Sequence, residues 1–238
     1  SAGSGRIDLT GKPLGEALYT RVALEKDNGP YIAVCPVNHT GDRHSPSAWK
    51  MTNAMPSWSW TGCEGQKASI EVYARAARVE LWLNGRIVGR KALKNDCFAK
   101  FSVTYEPGKL EAVSYDARGC ELGRCTLTTA GQQTQITAGP EQSSVQAGHL
   151  CYIRLRYTDE TGITKPLARG NIKVEVDGGT LVGLGNACPY HERSYLDCVA
   201  DTYYGEALAI VRAGEGNSLT LTADDGMYST AVTVPVTR

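Results

Sequence analysis

Val79-Glu80-Leu81-Trp82-Leu83-Asn84-Gly85-Arg86-Ile87-Val88 is the stretch that decides the fold class. Val79, Leu81 and Leu83 alternate with Arg78, Glu80 and Trp82, a period of two that sends one set of side chains to each face of a strand. Asn84-Gly85 tolerates the positive backbone angles of a two-residue hairpin turn, and Ile87-Val88 begins the return strand.

The same period extends outward. Ala68, Ile70 and Val72 alternate with Lys67, Ser69 and Glu71 upstream. Downstream, strands are predicted at 98–104, 110–116 and 123–129, separated by Glu106-Pro107-Gly108 and Ala117-Arg118-Gly119. A second series is predicted at 150–157, 171–176, 180–184, 206–212, 218–223 and 229–236. Between the two series, 130–148 is polar and lacks aromatic residues, and its start reads as a junction. Strands spaced by about 8–12 residues with turn signals between them indicate sandwiches. No internal repeat relates the halves, so they read as separate modules rather than copies.

One segment has helical spacing: Leu14, Leu18 and Val22 follow Gly11-Lys12-Pro13 at i, i+4 and i+8, with Ala17 and Leu24 beside them, and Asn28-Gly29-Pro30 stops the helix. That apolar stripe must be covered by the strands or by another copy of the chain. A strand is predicted at 31–37, followed by a polar, irregular stretch over 38–56. The expected fold is all-β, two tandem immunoglobulin-like β-sandwiches preceded by a short helix, with segments 1–56, 57–134 and 135–238.

Composition narrows the function. Lys plus Arg equals Asp plus Glu at 25 each, so no net field draws nucleic acid or an anionic membrane. No apolar run approaches the roughly 20 residues of a membrane span. Ser1-Ala2-Gly3-Ser4-Gly5 lacks the basic and apolar regions of a signal peptide and reads as a trace of cloning. Eight cysteines, at 35, 63, 97, 120, 125, 151, 188 and 198, lie mostly in apolar strand-like runs and read as buried thiols. That inclines the reading toward a reducing compartment such as a bacterial cytoplasm.

Trp58-Ser59-Trp60-Thr61-Gly62-Cys63-Glu64-Gly65, then Val79-Glu80-Leu81-Trp82-Leu83-Asn84-Gly85 and Tyr105-Glu106-Pro107-Gly108-Lys109-Leu110, in that order, together resemble the C-terminal region of a β-galactosidase-like member of glycoside hydrolase family 2. Trp58-Ser59-Trp60-Thr61-Gly62-Cys63-Glu64-Gly65 is similar to the stretch that opens the first module after that family's catalytic barrel. Val79-Glu80-Leu81-Trp82-Leu83-Asn84-Gly85, Tyr105-Glu106-Pro107-Gly108-Lys109-Leu110 and Thr128-Thr129-Ala130-Gly131 resemble further family stretches. Gly183-Leu184-Gly185-Asn186 and Tyr204-Gly205-Glu206-Ala207-Leu208-Ala209 look like its terminal immunoglobulin-like domain, and Gly5-Arg6-Ile7-Asp8-Leu9-Thr10-Gly11-Lys12-Pro13 looks like the end of its barrel. The resemblance implies that 1–56 holds a remnant of the barrel end with a connecting strand and loop. It also implies that the parent chain's catalytic barrel is the principal partner. A second copy of the chain and a carbohydrate are the other partners it admits.

Chemistry is sparse. Retaining glycosidases need two carboxylates about 5 Å apart. The family takes both glutamates from its barrel, one directly after an asparagine, and no Asn-Glu pair occurs here. No catalytic residue, cofactor or metal is therefore expected, and the chain reads as a non-enzyme. Cys188-Pro189-Tyr190-His191 with Cys198 is one soft pair of metal-ligand types and reads as loop. Cys120 and Cys125 bracket a turn and could face each other, while His39 and His44 read as solvated. Aromatic faces remain as sugar platforms. Trp82, opposite in parity to Leu81 and Leu83 and beside Glu80, packs on a neighbouring module or stacks on a sugar. Trp58 and Trp60 share a face and either plug the first sandwich or offer a platform. Trp49 and the run Tyr190, Tyr195, Tyr203 and Tyr204 admit either role.

Overall fold

The computed structural model describes residues 6–40, 52–94, 96–190 and 193–238. The chain divides into two compact units, Ser1–Thr129 and Ala130–Arg238.

In the first unit, strands β1 (Tyr31–Val34), β2 (Lys67–Tyr73), β3 (Arg78–Leu83), β4 (Arg86–Ala92), β5 (Phe98–Thr104), β6 (Lys109–Tyr115) and β7 (Glu121–Thr128) form two antiparallel sheets. Their orders are β1-β2-β5 and β4-β3-β6-β7. The period-two residues face inward as their parity requires: Ala68, Ile70 and Val72 of β2, Val79, Leu81 and Leu83 of β3, and Leu110 and Ala112 of β6 are all buried. Burying each Val, Leu or Ile side chain among them contributes about 1.5–3 kcal/mol. Residues 31–34 thus form an edge strand of the first sandwich rather than part of a separate leading segment. The expected continuation of that strand is instead a 3-10 turn at Val37–His39.

Asn84 and Gly85 have φ of +50° and +77°, as a tight hairpin between β3 and β4 needs. The Asn84 side chain then ties this turn to the next. Its Nδ2 donates to Pro107 O at 3.0 Å and its Oδ1 accepts from Lys109 N at 2.8 Å. A Cβ on Gly108, which has φ +132°, would lie 1.9 Å from that Oδ1, so the second turn requires glycine.

Helix α1 (Gly15–Ala23) starts one residue after Leu14, which is its N-cap. Val22 is buried with Ala33, Ala54 and Tyr73, and Leu18, Tyr19 and Tyr31 pack around them. The stripe is therefore covered by the chain's own sandwich. Leu24, grouped with the stripe from sequence, is 75% exposed because the helix ends before it. Arg75 fastens the C-terminal end of α1: its Nε donates to Val22 O at 2.7 Å and its Nη2 to Ala23 O at 2.8 Å. These are carbonyls that a helix end leaves without internal partners. Glu16, in the first turn, accepts from Thr52 N at 2.9 Å.

In the second unit, β8 (Gln135–Pro140), β9 (Val145–Gln146), β10 (Leu150–Thr158), β11 (Ile172–Asp177), β12 (Gly179–Gly185), β13 (Val199–Ala200), β14 (Glu206–Ala213), β15 (Ser218–Asp224) and β16 (Ser229–Thr237) form two sheets. Their orders are β12-β14-β10-β8 and β13-β11-β15-β16-β9, with β9 and β16 parallel. Large side chains of β10 (Ile153, Leu155, Tyr157) and β15 (Leu219, Leu221) share one buried core with small ones of β14 (Ala207, Ala209). Such alternation of size lets the layers interdigitate.

Strands β8 and β9 carry no strand signal in the polar stretch 130–148. Of the β8 residues only Ile136 is buried, so no apolar alternation marks the strand. Its place comes from backbone pairing with β10, from Ile153↔Pro140 to Thr158↔Gln135.

All eight cysteines are free thiols. Only Cys63 and Cys151 are buried, while Cys120 and Cys198 are exposed. The expectation of mostly buried thiols fails: six of the eight sit in the connections, where Cys63 alone is buried, and of the two in strands Cys151 is buried and Cys125 is half-buried on an edge strand.

Candidate functional site

Trp58 and Trp60 sit at one end of the first sandwich, 1% and 0% exposed. Trp58 Nε1 donates to Glu106 O at 3.0 Å, and its ring meets Tyr105 edge-on at 4.8 Å between centroids. Trp60 N donates to the Tyr105 hydroxyl at 2.9 Å, and Trp60 Nε1 to Ser57 O at 3.3 Å. Thr129 Oγ1 closes the knot by donating to Trp58 O at 2.7 Å. Burial pushes the Tyr105 phenol above its ordinary value, so it stays a neutral donor and acceptor. A ring with no open face cannot stack on a sugar. The platform reading of Trp58 and Trp60 is therefore corrected, and both are structural pins.

Trp82 lies on the outward face of β3, half-buried, with Ile87 of β4 and Glu111 of β6 opposite it in register. Its Nε1 is shielded from solvent and has no hydrogen-bond acceptor among the described residues. Glu80, its expected polar companion, is already engaged. Arg90 Nε donates to Glu80 Oε1 at 2.9 Å and the Tyr115 hydroxyl to Oε2 at 3.2 Å. The Arg78 guanidinium sits 4.4 Å over the Tyr115 ring. Glu111 is bracketed by Lys109 Nζ at 2.9 Å and Arg124 Nη1 at 3.3 Å. The Lys109 ammonium, then Arg124, hold its carboxyl below the usual range against the opposing effect of burial. These long side chains cover Val113, buried beneath them on the outward parity. The face is a closed mesh of ion pairs, in which both Glu80 and Glu111 are engaged and, among the described residues, neither is free to act as acid, base or sugar ligand.

The other candidates separate in space or chemistry. Cys188 is half-buried and Cys198 exposed, and no group of three or more His, Cys, Asp or Glu that could hold a metal occurs among the described residues. Tyr203 and Tyr204 pack edge to face at 4.6 Å, whereas Tyr190 and Tyr195 are exposed. His44, Trp49 and His191, named from sequence, lie outside the described residues.

Sequence reasoning missed a groove of about 590 Å³ in the first unit. Lys67 and Ser69 of β2, Arg90 and Lys91 of β4, and Lys100 and Ser102 of β5 line it, together with Thr40 and Phe101. Its cations come from three strands, so no local motif announces it.

Comparison with known proteins follows the domain order. Residues 65–123 match the model of a domain of unknown function, DUF4982, and residues 135–233 match that of the glycoside hydrolase family 2 C-terminal domain 5. A solved family 2 glycosyl hydrolase from Bacteroides cellulosilyticus superposes on 99% of this chain with a TM-score of 0.88 and 27% identity. The second unit carries a match to the glycoside hydrolase family 2 C-terminal domain, and the chain as a whole is similar to the C-terminal region of such an enzyme. The chain spans 32% of that Bacteroides enzyme. A β-glycosidase from Bacteroides vulgatus shares the fold, with a TM-score of 0.76 and 22% identity over 98% of this chain and 28% of its own. A provisionally named β-glucuronidase of Formosa agariphila is 33% identical over 90 residues, which is 36% of this chain and 9% of that protein. The family 2 C-terminal match spans the motifs read at Gly183–Asn186 and Tyr204–Ala209.

Proposed function

We propose that this chain is a non-catalytic accessory region of a family 2 β-glycosidase, and that it props that enzyme's catalytic barrel. The observation that carries the reading is the fastening of α1. The helix ahead of the strands is buried through Val22 and clamped by Arg75 onto the first sandwich. A segment held at both its apolar face and its C-terminal carbonyls transmits the sandwich's rigidity to the chain ahead of it. The Trp58–Trp60–Tyr105 knot stiffens the return from that helix into β2.

The carboxylates fit a structural role. Glu80, Glu111, Asp159 and Asp225 are each engaged by cations, hydroxyls or backbone amides. The parent's sugar is a separate matter: the motifs resemble β-galactosidases, whereas the named relative is a β-glucuronidase.

Arg75→Ala in the whole enzyme is the test. Losing two partly exposed, charge-assisted bonds costs about 1 kcal/mol at the helix end. Thermal inactivation of glycosidase activity should then run about fivefold faster, with KM unchanged. An unchanged inactivation rate would contradict the propping role.

A further inference from the structure

We infer that the groove between β2, β4 and β5 is a binding site for acidic oligosaccharides, chains whose sugars carry carboxylates. Each of the two strands that frame it, β4 and β5, is an edge strand of its sheet in the first sandwich. At this seam β4 presents Gly89 and Lys91 where inward parity would ordinarily place large apolar residues. The Phe101 ring fills the space over Gly89, where a Cβ would lie 2.5 Å from its Cδ1. Lys91 Nζ lies over the same ring at 5.6 Å from its centroid. The result is a seam closed at its base by the buried Phe101 ring and rimmed by cations.

Register places the remaining groups. Ser69 pairs with Ser102, and Lys67 and Lys100 stand two positions to either side on the same face. By strand rise, the levels of Lys67 and Lys100 are roughly 13 Å apart. None of Lys67, Lys91 and Lys100 is ion-paired with a described carboxylate. Glu71, opposite Lys100, is buried and receives the Tyr73 hydroxyl, and Glu80 engages Arg90 from the far side. The described lining therefore holds lysines without an ion pair to a described carboxylate, three hydroxyls (Thr40, Ser69, Ser102) and no carboxylate of its own.

That chemistry selects a ligand bearing spaced negative charges and many hydroxyls. About 590 Å³ exceeds the needs of a lone inorganic anion and falls within the range of ordinary ligand sites. The chain's zero net charge gives no long-range field for a nucleic acid, so the selection is local. The site is independent of the propping role and would survive its failure.

The test is calorimetric titration of the 238-residue chain with trigalacturonate, and with neutral galactotriose, inorganic sulfate and a short DNA duplex as comparisons. Trigalacturonate should bind with a Kd of about 1 mM or tighter, and the affinity should fall severalfold between about 0.15 M and 0.5 M salt. Lys67→Gln with Lys100→Gln should weaken it about tenfold with Tm unchanged, since both side chains are exposed. No saturation by trigalacturonate, or equal binding in the double variant, would overturn the proposal. Equally tight binding of galactotriose, sulfate or DNA would also overturn it, by showing a site without this selectivity.

Discussion

Trp60→Ala destabilises the first sandwich by about 4 kcal/mol, the largest effect expected of any single truncation here. The side chain is fully buried. Removing it leaves a cavity at the sandwich end and frees Ser57 O, which accepts its indole N–H. The Tyr105 hydroxyl, which accepts from Trp60 N and donates to Trp58 O at 3.4 Å, then loses the packing that positions it. Urea unfolding followed at the first unit should show its midpoint reduced by about 2 M, at the slope usual for a unit of this size. A loss under about 1 kcal/mol would mean that the pins are not integral to the sandwich.

Asp159→Ala is the corresponding lesion in the second unit. Asp159 is 2% exposed. Its Oδ2 accepts from Gly131 N at 2.7 Å, and its Oδ1 from Thr161 N, Thr161 Oγ1 and Ile163 N at 2.8–2.9 Å. Alanine leaves three backbone N–H groups without acceptors, at a cost of about 3 kcal/mol. Burial alone would raise the Asp159 pKa. The amides of Gly131 and Ile163 and the Thr161 groups more than reverse this, and the carboxyl is held below its ordinary value.

A folded-state pKa below the unfolded one means stability that is present at neutral pH and lost as pH falls. The loss begins near the unfolded value of 3.8 and continues below it. Asp225 has the same sign, with the Tyr157 hydroxyl donating to it at 2.6 Å. Asp159→Asn should therefore flatten part of the acid limb of stability against pH. An acid limb as steep as that of the unaltered chain would rule out Asp159 as a contributor.

The strands were legible wherever one face is buried and the other is not. β2 and β3 declare themselves through Ala68-Ile70-Val72 and Val79-Leu81-Leu83, and the hairpin through Asn84-Gly85. β8 was not legible, because an edge strand with one buried residue is fixed by backbone pairing that leaves little trace in side chains. The helix was legible from Leu18 and Val22, but its cover was not. Ala33, Ala54 and Tyr73 come from separate segments.

The site residues divide the same way. Parity placed Trp82 and Glu80 outward, as they are, yet it could not show that Arg90 and Tyr115 occupy the Glu80 carboxylate. Trp58 and Trp60 lie in an irregular stretch where parity says nothing about burial. The cationic groove depends on Lys67, Lys91 and Lys100 meeting across three strands: register places Lys67 and Lys100, and only the packing of the two sheets adds Lys91.

The most direct measurement is hydrolysis of p-nitrophenyl β-galactoside and p-nitrophenyl β-glucuronide by the purified 238-residue chain, prepared from a host without glycosidases and run beside the whole enzyme. The expected result is release of nitrophenol by the chain no faster than in buffer, while the whole enzyme turns over one of the two. Saturable turnover by the chain alone would contradict the accessory role and place a reaction centre within these two sandwiches.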